Sequence, residues 1–186
     1  PRKQAESPYG NTKAMCEDIM RDFAKVESGM NLLALRYFNP IGAHPSALIG
    51  ELPNGVPNNL IPFLTQTVAG IRPQLSVFGD YIDVVDLAKA HVVAIRRLLD
   101  GKNKANYEYF NIGTGNGLSV LGLIKAFEKA TGEKVNYKIV GRRAGDIEKV
   151  WADTTLANQE LGWKAEVPIE ETLANAWKWQ QALMKK

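Results

Sequence analysis

The chain has 186 residues, 45% of them hydrophobic and 23% charged, and carries a net charge of +3 at pH 7. That is the composition of a globular protein with one sizeable core, or of one domain with part of another. Without a run of Lys or Arg it excludes a phosphate-tracking nucleic-acid binder, while the mild basic excess suits a small anionic ligand. No apolar stretch approaches the roughly 20 residues that span a bilayer. The single cysteine, Cys16, excludes an internal disulfide or a cysteine-built zinc site. With no signal peptide, the reading is a cytoplasmic protein. The chain begins at Pro1 and its first element is a helix start, so an amino-terminal segment is expected to be missing.

Ser7 is a good N-cap and Pro8 a good first helical residue. Met15, Ile19, Phe23 and Val26 then recur at helical spacing, predicting a helix over 8–28 that ends near Gly29 and turns its apolar face to a core. Residues 31–38 form a short apolar run between Gly29 and Pro40, the pattern of a buried parallel strand. Residues 39–59 are rich in Pro, Gly and Asn and read as one long loop, of the kind that often carries function. Helices are expected over 59–70, 84–99, 118–131, 154–161 and 169–184, and extended segments over 75–78, 107–112 and 135–140. Helix and buried strand in alternation predict an α/β fold with a doubly wound parallel sheet.

Several motifs could carry chemistry. Residues 9–13, YGNTK, place Tyr9 and Lys13 four apart, on one face of the first helix. A free phenol, with a pKa of about 10, is a poor base at neutral pH. A nearby ammonium favours the phenolate and can make tyrosine a general acid and base. The same spacing is also ordinary on an exposed helix face. Residues 36–46, RYFNPIGAHPS, end a strand and enter a polar loop, where open α/β sheets bind ligands. There Asn39 offers both a donor and an acceptor for sugar hydroxyls, or else caps backbone. His44 lacks a sequence partner and reads as a loop residue. Asn59 opens a helix whose amino end could bind an anion such as diphosphate, or is simply an N-cap. Phe78, in SVFG, could stack on a base or belong to the core. In RRAGD, residues 142–146, the arginines suit phosphate and Asp146 suits ribose hydroxyls. Residues 113–117, GTGNG, sit between strand and helix, but Leu118 breaks the dinucleotide spacing, so they read as a structural turn.

The segments SPYGNTK, LRYFNPIGAHPS, PNNLIPF, SVFG, DYIDVVDLAKAHV, FNIGTGNGLSV, RRAGD and ELGWKAE follow one another in an order and wording that resembles the UDP-galactose (UDP-glucose) 4-epimerase family, of the extended short-chain dehydrogenase/reductase type. The likeness covers essentially the whole chain, and RYFNPIGAH is its most discriminating piece. The resemblance implies a Rossmann-type NAD-binding domain with a smaller α/β substrate domain. Residues 1–39 would end the first, and 40–186 would form mainly the second, with about 81–113 returning to the Rossmann domain. It also implies NAD as tightly bound cofactor, a UDP-sugar as substrate and a homodimer as the assembly. Tyr9 would be the catalytic base and Lys13 would hold the nicotinamide ribose, with Phe38 lying against the cofactor. Asn39 would contact the sugar-diphosphate, and Asn59 and Leu60 the diphosphate. Ser76, Val77 and Phe78 would line the uracil, Arg143 would bind phosphate, and Asp146 the uridine ribose. Val150 stands where the family places a size gate, and its small side chain implies acceptance of N-acetylated UDP-hexosamines.

Three family features lack a counterpart: the glycine-rich NAD loop, the catalytic Ser or Thr, and a diphosphate-gripping Arg. About a dozen residues are also expected, and missing, between Gly79 and Tyr81. The chain taken by itself is therefore expected to be inactive. A related sugar-nucleotide dehydratase or decarboxylase, and a non-catalytic UDP-sugar binding module, are the competing readings.

Overall fold

A computed structural model describes residues 5, 7–26, 29–57, 59–71, 81–137 and 151–185. The first helix, α1, is Pro8–Val26. Ser7 starts it by accepting from the Gly10 amide at 3.0 Å, with Pro8 in the first turn where its missing N–H costs nothing. The apolar stripe behaves differently from the expectation. Met15, Ile19, Phe23 and Val26 are all exposed, Val26 by 88%, and Ala24 alone is buried. Periodicity reports that one face is apolar; it does not say what covers it.

Strand β1, Leu32–Tyr37, pairs in parallel with β4, Tyr107–Ile112, in a register that sets Leu32 opposite Tyr107 and Tyr37 opposite Ile112. The expected long loop is interrupted by a short strand, β2, Asn39–Ile41, which pairs in parallel with β3, Tyr81–Asp83. An isolated antiparallel bridge between Ala43 and Gly50 tightens the rest of that segment. Parallel pairs need crossovers, and the helices α2, Leu60–Val68, and α3, Val84–Leu99, lie in the connections. Helices α4, Val120–Thr131, α5, Thr155–Leu161, and α6, Ile169–Met184, follow. Ser119 caps α4 by accepting from the Gly122 amide, so that helix starts two residues later than expected. Residues 135–137 carry no strand; the Val135 amide is taken by the Glu128 carboxylate at 3.1 Å instead of a ladder partner. The extended segment expected over 75–78 and the seam between Gly79 and Tyr81 lie outside the described residues.

Two apolar clusters hold these elements. Leu60, Ile61 and Leu64 of α2, Leu123 and Phe127 of α4 and Leu173 and Trp177 of α6 pack with Ile41 and Tyr81. Ile82, Leu87, Ala90, Phe110 and Ile112 pack with Ala157 and Trp163, under Leu33 and Leu35 of β1. Polar groups lock the joints between them. Asp83 accepts from the Val85 amide, capping α3, and from the Thr172 hydroxyl at 2.7 Å. Asp86, buried, accepts from the amides of Glu166 and Val167. Arg97 makes a two-pronged pair with Glu108 at 2.8 and 3.0 Å and also reaches the Glu160 carbonyl and carboxylate. Such a buried guanidinium is tolerated because its donors are matched. Among the described residues no helix is long and apolar enough to cross a membrane.

Candidate active site

The YGNTK motif folds as its spacing demands. Tyr9 and Lys13 share a face of α1, and the Lys13 ammonium stands 5.2 Å from the centre of the Tyr9 ring. The pair is open to solvent, with Tyr9 71% exposed. Helix α1 is fixed to the sheet through Glu17, whose carboxylate takes Arg36 Nε at 2.8 Å, Arg36 Nη2 at 2.6 Å and the Tyr107 hydroxyl at 3.0 Å. Burial, then the bond to Glu17, pushes the Tyr107 hydroxyl up to about 12, so it remains a donor throughout the physiological range. The ion pair likewise holds the Arg36 guanidinium more firmly protonated than usual.

The strand leaving this anchor delivers Phe38, partly buried, and then Asn39 on β2. Beyond them a cavity of about 550 Å³ opens between residues 40–44, 49–51, Asn59 and the start of α3 at Val84, Val85 and Ala88. The structure thus brings the RYFNPIGAHPS segment together with Asn59, as ligand binding at a strand's carboxyl end requires. Tyr9 and Lys13 are not among its lining residues. His44 is exposed and bonded through Nδ1 to the Ser46 hydroxyl at 2.8 Å, a loop residue as expected.

The structure describes the surroundings of two expected substrate contacts. Asn59 occupies the N-cap position of α2, but its side chain makes no cap; it donates to Glu51 at 2.6 Å, setting a carboxylate beside the helix mouth where an anion was expected. Leu60 is buried in the α2–α4–α6 cluster, so only its backbone amide remains for a diphosphate. Ser76, Val77, Phe78, Arg143, Asp146 and Val150 lie outside the described residues.

The walls of the cavity are held by α6. Trp179 donates its indole N–H to the Glu51 carbonyl at 2.9 Å, and Lys178 reaches the Pro45 carbonyl. Gly50 lies against that indole, where an added Cβ would come within 2.6 Å of ring carbons. Gly42, at φ +95°, would press a Cβ to 2.8 Å from Thr172 Cγ2. The segment DYIDVVD and the helix expected over 169–184 carry no such supporting role in the sequence patterns. Their partners lie 89 and 128 residues away in the chain, beyond any local pattern. The GTGNG turn is closed on itself: the Thr114 hydroxyl accepts from the Asn116 amide and donates to the Asn116 carbonyl. The Thr114 hydroxyl and the Asn116 backbone are thus engaged with each other.

Residues 2–176 match the family model described as GDP-mannose 4,6 dehydratase. A UDP-glucose 4-epimerase of Drosophila melanogaster is 47% identical, over 97% of this chain and 55% of its own length. The Bacillus subtilis UDP-glucose 4-epimerase is also 47% identical, over 96% of this chain and 55% of its own. The crystal structure of a UDP-glucose 4-epimerase from Stenotrophomonas maltophila, with bound NAD and formylated UDP-arabinopyranose, superposes with a TM-score of 0.91 at 45% identity, covering 98% of this chain and 57% of that one. The enzyme from Bifidobacterium longum in complex with NAD+ and UDP gives 0.89 at 41% identity, with the same coverage. The chain spans about half the length of the curated relatives it matches. The chain belongs to the GDP-mannose 4,6 dehydratase family, and its similarity there runs to UDP-glucose 4-epimerases.

Proposed function

We propose that the complete protein is an NAD-dependent UDP-glucose 4-epimerase that interconverts UDP-galactose and UDP-glucose. The observation that carries the reading is the Tyr9–Lys13 pair, ammonium against phenol ring on one face of α1, anchored to the strand that leads into Phe38 and Asn39. The family description alone would also suit a dehydratase, but the relatives named above are epimerases. Half of the NAD site fits the residues present: Tyr9 and Lys13 suit the nicotinamide ribose and Phe38 its ring. Among the described residues no glycine loop is shaped for the diphosphate.

When bound, NAD supplies the hydride acceptor and donor at C4 of the sugar. Tyr9 would take the proton from the 4-hydroxyl as the C4–H bond breaks, and would return it to the oxygen of the turned 4-keto sugar when C4 is reduced on its other face. Lys13 holds ribose hydroxyls and favours the phenolate. Asn39, with Asn59 and the Leu60 amide, meets the sugar-diphosphate; Ser76, Val77 and Phe78 meet the uracil, Arg143 a phosphate and Asp146 the ribose. The 1–39 and 81–113 segments belong to the NAD-binding domain and the remainder mainly to the substrate domain. The protein works in the cytoplasm as a homodimer.

Tyr9→Phe in the complete protein should lower turnover by about 10²–10⁴-fold while NAD remains bound. Unchanged turnover would sink the assignment, and loss of NAD without an epimerase activity in the parent protein would favour a binding module. A side chain as small as that of Val150 at the position of the family's size gate is expected to admit an N-acetyl group. Val150→Tyr should therefore suppress turnover of UDP-N-acetylglucosamine and spare UDP-glucose; equal effects on both would remove the gate.

A further inference from the structure

Tyr9, Lys13 and Glu17 stand at i, i+4 and i+8 on α1, one above another along a single stripe. A glutamate four residues beyond a lysine on a helix is within pairing reach of it, since their Cβ atoms are only about 5–6 Å apart. Here Lys13 makes no ion pair among the described residues, and its ammonium lies over Tyr9. Glu17 is instead turned to the sheet. Both of its oxygens are engaged, one by Arg36 Nε and the other by Arg36 Nη2 and the Tyr107 hydroxyl, and its side chain is only 12% exposed. The guanidinium is itself fixed, 4.0 Å above the Tyr109 ring. The other cation near Glu17 on its own helix, Arg21, is committed to Asp18 at 2.8 Å and lies 3.7 Å from Asp22.

We propose that Arg36 and Tyr107 are positioning residues that hold the Glu17 carboxylate away from Lys13 and so leave the Lys13 ammonium to Tyr9. This rests on the reading of Tyr9 as the proton-transfer residue. The clamp therefore does more than dock α1 on β1 and β4. It removes from the stripe the one carboxylate spaced to compete for Lys13. Among the described residues, the charged and titratable groups around Glu17 include Arg36 from β1 and Tyr107 from β4, which bond to it, Tyr109 of β4 against the Arg36 guanidinium, and Lys13 and Arg21 one turn away on α1.

The consequence is an asymmetry between two substitutions that break the same ion pair. In the complete protein, Arg36→Gln releases a charged Glu17 toward Lys13. The acidic limb of the kcat/KM profile should move to higher pH by about one unit, with about tenfold lower kcat/KM at neutral pH. Glu17→Gln removes the competitor along with the pair. It should lower the melting temperature but leave that limb in place, and adding it to Arg36→Gln should bring the limb back. Equal shifts from the two single substitutions, or no recovery in the double one, would reduce the clamp to a docking contact and overturn the proposal. If Arg36→Gln does not fold, Tyr107→Phe takes its place: it loosens Glu17 by one hydrogen bond and should give a smaller shift of the same sign, again reversed by Glu17→Gln. The function reading fails separately, through an unaffected Tyr9→Phe enzyme. In that case tyrosinate absorbance, taken as the difference from Tyr9→Phe, follows the same shifts without turnover.

Discussion

Helix α2 buries Leu60, Ile61 and Leu64 in a cluster shared with α4 and α6, whereas α1, more than twice as long, buries Ala24 alone. Both helices carry an apolar face at regular spacing. The difference is in what meets it. Around α2 the cover is supplied from this chain, by Phe127, Leu173 and Trp177. Around α1 the described residues supply polar contacts: the Glu17–Arg36 pair, the Tyr107 hydroxyl, and Asn106 donating to the Ala24 carbonyl. One helix is held by area removed from water and the other by the geometry of charged hydrogen bonds. The second kind of anchor sets an orientation more sharply than it adds stability, which suits the proposed role of α1 in presenting Tyr9 and Lys13.

The sharpest way to break that contrast is at the centre of the buried cluster. Phe127 is fully buried and meets Trp177 edge-on at 6.1 Å. Phe127→Ala should cost about 3–5 kcal/mol in urea unfolding, through lost transfer energy and a cavity. A cost below about 1 kcal/mol would mean that this cluster is not the core.

Much of this architecture was legible in the sequence, and the gaps have physical causes. Helix α3 and strand β4 fall at 84–99 and 107–112 as expected, because the pattern of each lies within its own segment. Strands β2 and β3 are three residues each and exist only through their mutual pairing, 42 residues apart. No window along the chain contains that signal. The same holds for the site. The Tyr9–Lys13 pair is local and was read from spacing. The contacts of Glu17 with Arg36 and Tyr107 span 19 and 90 residues, and the cavity walls are fixed by α6 from more than 120 residues away. Asn59 was placed correctly at a helix start, but its partner, Glu51, comes from the interrupted loop and not from the helix.

A smaller effect separates buried ion pairs from apolar cover by their response to acid. Glu108 is held below the usual carboxylate range, first by its hydrogen bond to Arg97, against the cost of burial, and then by the Lys104 amide. A depressed folded-state value contributes stability that is present above the ordinary carboxylate pKa of 4.5 and is lost as pH falls through the lower folded value. Melting temperature should therefore drop as pH falls below about 4.5, and Glu108→Gln should be less stable at neutral pH with a shallower acid slope. An unchanged slope would place the acid sensitivity elsewhere.

The smallest expected effect is also the most discriminating. Phe23 sits in the exposed stripe of α1. With no described residue covering it, Phe23→Ala should change stability by no more than about 0.5 kcal/mol, the range of surface substitutions. A second copy of the protein seated on the stripe would change that in two ways at once. The cost would rise toward that of a core phenylalanine, and the melting temperature of the parent protein would depend on its concentration, as linkage to association requires. A large cost with no concentration dependence would instead mean that other parts of the same polypeptide cover the stripe. A small cost at every concentration would leave α1 held by its polar contacts, the Glu17 anchor first among them. Then Arg36→Gln, which removes that anchor, should loosen α1 more than any apolar substitution on it.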